Sequence, residues 1–337
     1  MNFEFLFNNF AQLTITGLAF GAIYALIALG YTMVYGVLQL INFAHSEVFM
    51  YGTFATLWTV MALTSGGETH GIQLISVLIA ALLVSMAVSA LIALILERVA
   101  YRPLIKKNAP RLVALISAIG ASFVLAELMG LRDRVAAWFG LDDNLNEYVS
   151  GSRINRSMPP IVDNVPITLF GWDVSIGGYT LKSVDVIVIV SAILMMVALD
   201  QFVRRSRLGR GIRATAQDPE TAALMGVNPT RTVQLTFLLG GLAAGAAAFL
   251  YMLKIETTRY DVGFLLGVKA FTAAVLGGIG NLRGALVGGL VLGVAENWGA
   301  AVFGSEWRHV VAFVFLVVIL LFRPTGILGE SLGKARA

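Results

Sequence analysis

The feature that most constrains this chain is a succession of apolar runs, each roughly 17–25 residues long, separated by polar or glycine-rich breaks. That is the length a helix needs to cross a hydrocarbon core of about 30 Å. The runs fall near residues 13–35, 43–63, 74–96, 112–130, 184–203, 232–253, 264–280, 285–303 and 308–322. The last is short and the two before it are rich in glycine, so eight to ten crossings are expected. A membrane barrel would instead show alternating segments of about ten residues, and none occur. With 58% hydrophobic and 13% charged residues and a mean hydropathy of +0.81, a soluble domain of 337 residues has no means of hiding its apolar surface. The expected fold is an all-α, polytopic transmembrane helical bundle, a single domain over residues 1–337 with broken or re-entrant segments.

The polar residues narrow the chemistry. There is no cysteine, which excludes disulfides, iron–sulfur clusters and thiolate metal sites. His45, His70 and His309 are far apart and not at metal-ligand spacing, so no metal or bound cofactor is expected. The net charge of +4 requires no nucleic-acid partner, because the basic residues lie mainly in loops. The N-terminus has no basic region of the kind that opens a cleavable signal. No Lys or Arg precedes Arg98, after which Arg98, Arg102, Lys106, Lys107 and Arg111 cluster, then Arg204, Arg205, Arg207, Arg210, Arg213 and Arg231, and finally Lys334 and Arg336. The positive-inside rule puts these three groups in the cytoplasm, the N-terminus outside and the C-terminus inside. Residues 131–183 then form an external insertion, in which Val165–Leu181 reads as two short strands with a turn at Gly171.

Two places interrupt the membrane pattern. In Gly36–Glu47 the polar residues Gln39, Asn42, His45, Ser46 and Glu47 sit in a turn without Lys or Arg, and Asn42 is placed to cap the following helix. In Leu276–Gly289 six glycines, among them Gly277, Gly278 and Gly280, accompany Asn281 and Arg283. Gly-interrupted hydrophobic segments in both halves of a transporter mark a substrate region. On that reading Asn42, His45, Ser46, Glu47, Gly277, Gly278, Gly280 and Asn281 border a translocation path, expected to be apolar and mostly uncharged. Close helix packing through small residues is the competing reading, and Gly240, Gly241 and Gly245 fit it. Of the ionisable residues in the apolar runs, Glu127 and Glu296 are read as reaching water at span ends, and Lys269 as snorkelling to the interface. His45, Ser46 and Glu47 are adjacent on a helix, point in different directions and make no hydrolytic triad.

The loop at 204–231 carries the other informative stretch, with AQDPETAALMGVN at Ala216–Asn228. Asp218 suits an N-cap, Pro219 the first helical position and Glu220 the positive end of the helix dipole. Gly226 ends the helix and Pro229 forbids continuation. Ala222, Leu224 and Met225 supply a small apolar face. Two turns do not form a stable helix alone, so this one requires a partner surface.

Three stretches together resemble one family: Gly17–Thr56, GLAFGAIYALIALGYTMVYGVLQLINFAHSEVFMYGTFAT; Arg210–Asn228, RGIRATAQDPETAALMGVN; and Phe271–Asn297, FTAAVLGGIGNLRGALVGGLVLGVAEN. The chain is similar to permease subunits of bacterial ABC importers for branched-chain amino acids, specifically the LivH type. Ser46 departs from the glycine usual after the histidine of the first break, and the insertion is longer than the family pattern. The resemblance implies a multi-pass subunit of the inner membrane that forms half of a path for branched-chain or other hydrophobic amino acids. Its implied partners are a second, different permease subunit, two cytoplasmic ATPase subunits and an extracytoplasmic substrate-binding protein. The chain has no GxxxxGK[ST], so it cannot hydrolyse ATP itself; the resemblance implies a transport subunit and no enzyme, with ATP and Mg used by the ATPases. Asp218, Pro219, Glu220, Ala222, Leu224, Met225 and Gly226 become the ATPase-coupling segment. Permeases for urea or short amides are related, and a stand-alone secondary transporter is the other alternative.

Overall fold

A computed structural model describes residues 2–64, 71–107, 109–169, 172–323 and 325–329. His70, Lys334, Arg336 and the expected turn at Gly171 lie outside them. A short helix α1 (Phe3–Asn8) leads into α2 (Phe10–Leu38), α3 (His45–Thr64) and α4 (Ile72–Leu96). A π-helical turn at Glu97–Tyr101 joins α4 to α5 (Arg102–Lys106), and α6 (Arg111–Gly130) follows. Then come α7 (Arg132–Trp138), α8 (Asp142–Val149) and five two-residue strands, β1 (Arg156–Ser157), β2 (Thr168–Leu169), β3 (Trp172–Asp173), β4 (Ser175–Ile176) and β5 (Tyr179–Thr180). Helices α9 (Ser183–Arg205), α10 (Arg207–Gln217), α11 (Pro219–Leu224) and α12 (Pro229–Ile255) are followed by β6 (Thr257–Thr258), α13 (Val262–Gly277), α14 (Leu282–Phe303) and α15 (Arg308–Phe322).

Seven helical segments among the described residues are long and apolar enough to cross a membrane, and the chain is a multi-pass membrane protein. The expected runs at 43–63 and 264–280 are different in kind. They form α3 and α13, which start inside the bundle. The His45 ring lies against Gly30, eight residues before the end of α2, a rise of about 12 Å at 1.5 Å per residue. Helix α13 begins at the same depth, because Gly263 packs on the Ser46 carbonyl. The chain reaches that depth by folding back after α12, where the Thr258 and Thr53 hydroxyls are 2.6 Å apart. Non-helical backbone is tolerated there because protein surrounds it.

Helices α2, α3 and α12 form the interior, while α4, α6, α9 and α15 turn apolar side chains such as Leu83, Leu91, Phe123, Leu194 and Leu321 outward. Small residues set the closest contacts. Gly17 and Gly21 of α2 meet Gly289 and Gly293 of α14 backbone to backbone: a Cβ on Gly21 would stand 2.7 Å from the Gly289 carbonyl oxygen. Both helices thus carry the GxxxG spacing that permits such approach. Gly241 and Gly245 of α12 meet Ser85, Met86, Ser89 and Ala90 of α4 in the same way, and the Ser85 hydroxyl donates to the Gly245 carbonyl at 2.8 Å.

The two ends of the bundle differ. At one, the N-terminus and the 131–183 segment assemble: the Asn2 amide donates to the Val302 carbonyl and the Trp58 indole to the Tyr148 carbonyl. Arg132 organises this end by donating to the carbonyls of Met129, Ser150, Gly151 and Ser152; burial lowers its pKa to about 10. The segment holds two hairpins, β2–β3 and β4–β5, where two strands were expected, because Gly177 and Gly178 add a second turn at positive φ. At the other end α5, α10 and α11 gather around the end of α2, with Leu38, Leu104, Thr215 and Pro219 lining one small cavity. Both described basic clusters therefore lie at the end opposite the N-terminus.

Candidate functional site

A cavity of about 850 Å³ lies among α2, α3, α6, α13, α14 and α15, with Asn155 of the 131–183 segment on its wall. Its wall is mostly apolar, with Phe20, Phe123, Leu265 and Leu266. Its buried ionisable groups are placed by specific packing. Glu47, in the first turn of α3, is 1% exposed. Its Oε1 accepts from the Ser122 hydroxyl at 3.1 Å and the Ser46 hydroxyl at 3.3 Å, and its Oε2 has no partner among the described residues. Across the cavity, Lys269 donates to Glu296 Oε1 at 2.6 Å and to the Tyr24 hydroxyl at 3.4 Å. Arg308 Nε stands 3.9 Å from the same carboxylate oxygen, and the Glu296 Oε2 is unpartnered.

This corrects the reading of two residues. Lys269 does not snorkel and Glu296 does not reach water: they are 3% and 2% exposed and neutralise each other. A buried charge persists only with such a partner. The missed signal was the pairing itself, since two residues on different helices have no local mark in sequence. Glu127 does reach the surface, paired with Arg153 at 2.6 Å.

The two breaks meet. A Cβ on Gly36 would lie 4.0 Å from Gly280, and Phe271 of α13 packs against both Tyr31 and Phe43. Of the eight residues expected to border a path, only Glu47 lines the large cavity. Asn42 is buried and accepts from the Tyr101 hydroxyl at 2.9 Å; its side chain does not cap α3. His45 is wedged between Gly30 and the Tyr31 ring. Ser46 donates to the Phe43 carbonyl at 2.8 Å, and its Cβ would be 2.2 Å from any Cβ on Gly267. In the second break, Asn281 caps α14 by accepting from the Arg283 and Gly284 amides. Gly277 touches the Gly284 backbone, and Gly278, at φ +104°, is covered by Gly329. Gly280, at φ +97°, faces open space.

The helix expected at Asp218–Gly226, read as the segment that would meet an ATPase, is shorter than expected and capped by Asp218. Helix α11 ends at Leu224, and Gly226 turns the chain at φ +87°. Asp218 Oδ1 accepts from the Glu220 and Thr221 amides at 3.0 and 3.2 Å, and Oδ2 from the Thr221 hydroxyl. These bonds hold the Asp218 carboxyl below its ordinary pKa. Ala222, Leu224 and Met225 do not share a face: Ala222 is buried, while Leu224 and Met225 are 88% and 81% exposed. The preceding α10 was not expected. Ser206 caps it by accepting from the Gly209 amide at 2.8 Å, and its arginines had read as a simple charge run.

The family model for the permease component of the branched-chain amino acid transport system matches residues 13–320. The chain is 40% identical over 322 residues to the high-affinity branched-chain amino acid transport system permease protein BraD of Pseudomonas aeruginosa, covering 96% of each. It is 39% identical over 330 residues to LivH of Escherichia coli K12, covering 98% of each. It is 26% identical over 319 residues to a probable branched-chain amino acid transport permease protein LivH of Methanocaldococcus jannaschii. No solved structure matches. The helical bundle, its two broken segments and this agreement over nearly the whole chain place the protein in the branched-chain amino acid transport system permease family.

Proposed function

We propose that this chain is one half of the translocation path of an ATP-driven importer of branched-chain amino acids. A second permease chain supplies the other half, two ATPases supply the energy and a soluble binding protein delivers substrate. The observation that carries the coupling is α11, a helix too short to stand alone, rigidly capped and presenting Leu224 and Met225 to solvent beside a basic helix. A groove on an ATPase would cover that apolar pair. Movement of the ATPases would then pass through α11 to α9 and α12 as rigid bodies. The positive-inside rule supports placing this end in the cytoplasm, with the 131–183 segment and the N-terminus outside the inner membrane, where the binding protein docks. The ATPases use ATP and Mg; residues 204–231 serve as the coupling loop of a single permease domain. The names of the relatives favour branched-chain amino acids over urea or short amides. Reconstitution with the second permease and the ATPases tests the assignment. Leucine uptake and ATP turnover should both depend on the binding protein, and uptake without ATPases would overturn it.

A further inference from the structure

Where α9 leaves the bundle, positive charge accumulates beyond what nearby residues balance. Residues 186–217 hold five arginines, Arg204, Arg205, Arg207, Arg210 and Arg213, and one acidic residue, Asp200. The fold brings a sixth arginine to them. Asp200 Oδ1 accepts from Arg204 Nε at 2.9 Å, and its Oδ2 accepts from Arg283 of α14 at 3.3 Å. The Asp200 side chain is 10% exposed, whereas those of Arg204 and Arg283 are 50% and 57% exposed. One nearly buried carboxylate thus holds two half-exposed guanidinium groups side by side. Two positive charges stand against one negative. Arg205 and Arg207, exposed next to them in the chain, have no acidic partner among the described residues. The outward face of α9 leads to the same place. Val190, Leu194, Val197 and Gln201 are exposed at helical spacing, and the next position in that series is Arg204. From Leu194 to Arg204 the helix rises about 15 Å, half the thickness of a hydrocarbon core.

We propose that the Arg204–Asp200–Arg283 cluster binds the phosphate of an anionic glycerophospholipid, whose acyl chains lie along Leu194 and Val197. The planar N–H forks of two arginines suit phosphate oxygens, and Asp200 already holds them in place. The surplus charge, with Arg205 and Arg207 beside it, selects a lipid of net negative charge over a zwitterionic one. An ATPase is the other occupant that would suit arginines, but the outward apolar stripe leads to this cluster from within the bilayer. Helix α10, about 16 Å long, separates the cluster from Asp218, so the lipid and the proposed ATPase contact occupy different ends of that helix. Bound lipid fixes the corner between α9 and α10 at the level of the headgroups. The inference stands on the membrane setting alone and is independent of the cargo.

The test titrates the purified full-length chain, stripped of lipid in detergent, with dioleoylphosphatidylglycerol and counts bound lipid by native mass spectrometry. Wild type should bind it at least about tenfold more tightly than dioleoylphosphatidylcholine. Arg204→Gln combined with Arg283→Gln should weaken phosphatidylglycerol binding by about tenfold and leave phosphatidylcholine binding unchanged. Lys106→Gln combined with Lys107→Gln removes the same charge from another loop and should keep phosphatidylglycerol affinity within about twofold of wild type. The arginine variant strands Asp200; if it does not fold, adding Asp200→Asn leaves no charge unpaired, and the same loss is expected. Equal affinity of wild type for the two lipids, or an equal loss in the lysine and arginine variants, overturns the site. Displacement of the lipid by millimolar inorganic phosphate overturns it in favour of a soluble anion. In nanodiscs of phosphatidylcholine alone, the arginine variant should bind the ATPases as wild type does. Weaker binding there would assign the arginines to the ATPase and overturn the lipid site.

Discussion

Lys269 and Glu296 bring opposite charges to membrane depth and hold them 2.6 Å apart. Replacing only one partner leaves the other charge stranded, which costs about 3–5 kcal/mol when the pair is buried. Lys269→Met should therefore lower the melting temperature of the purified protein sharply, and Lys269→Met combined with Glu296→Met should recover most of the loss. Equal melting of the single variant and wild type would mean that water reaches the pair. Glycines act at the same scale through backbone contact. Gly21→Val has no room beside Gly289 and Leu290, so it should destabilise by about 1–3 kcal/mol or more and loosen α2 from α14. Gly278→Leu is a packing probe as well, since its Cβ would collide with Gly329 at a residue already at positive φ. Its loss of transport would report disrupted packing. The roles of these glycines were only half legible in sequence. Composition marks a break at 277–280, but whether glycine there makes room for a ligand or for backbone depends on a segment some fifty positions later in the chain.

Among the elements, the six-residue α11 is the one to which the proposed coupling is assigned. The Asp218 cap and Pro219 at the first position were readable because capping is local: donor, acceptor and breaker lie within a few residues. Which way Leu224 points was not readable, because a six-residue helix has too few turns to define a face, and its contacts with α10 and α12 decide it. The depth at which α3 and α13 start was hidden for a similar reason: it is fixed by contacts between segments, His45 of α3 on Gly30 of α2 and Gly263 of α13 on Ser46 of α3. Glu220→Lys reverses a favourable interaction with the helix dipole, and Leu224→Asp places a charge in the uncovered apolar pair. In the reconstituted transporter, each should reduce leucine uptake per ATP hydrolysed by several-fold while insertion of the permease is unchanged. Normal coupling in both would sink the assignment of α11. The cap should also follow the Asp218 carboxylate. Its folded pKa is depressed, so the stabilisation is complete above the ordinary Asp value of about 3.9 and is lost only as pH falls through the lower folded value. Coupling should thus be indifferent to this group near neutral pH.

The whole molecule is polarised along the membrane normal, and that polarity ties the path to the coupling surface. Asn155 of the 131–183 segment lines the cavity, while α5 and α10 carry arginines at the opposite end. Charge distribution along the sequence already separates these ends, because the cost of moving Lys and Arg across a bilayer acts on composition and needs no tertiary information. The sequence is silent on how many segments cross fully. That number depends on where α3 and α13 begin: counting both with the seven long spans, or neither, leaves an odd number and the two ends of the bundle on opposite sides. The N-terminus should therefore lie outside and the basic loops inside. The chain has no cysteine, so single cysteines can report this directly. Asn2→Cys should react with a membrane-impermeant maleimide in intact spheroplasts. Arg210→Cys, on α10, should react only after the inner face is opened. The two sites serve as mutual controls, since both must be reactive in detergent for either result to count. Reaction of Asn2→Cys only in opened membranes, with Arg210→Cys accessible from outside, would invert the bundle. It would move the cavity to the cytoplasmic side and remove α11 from the reach of any ATPase.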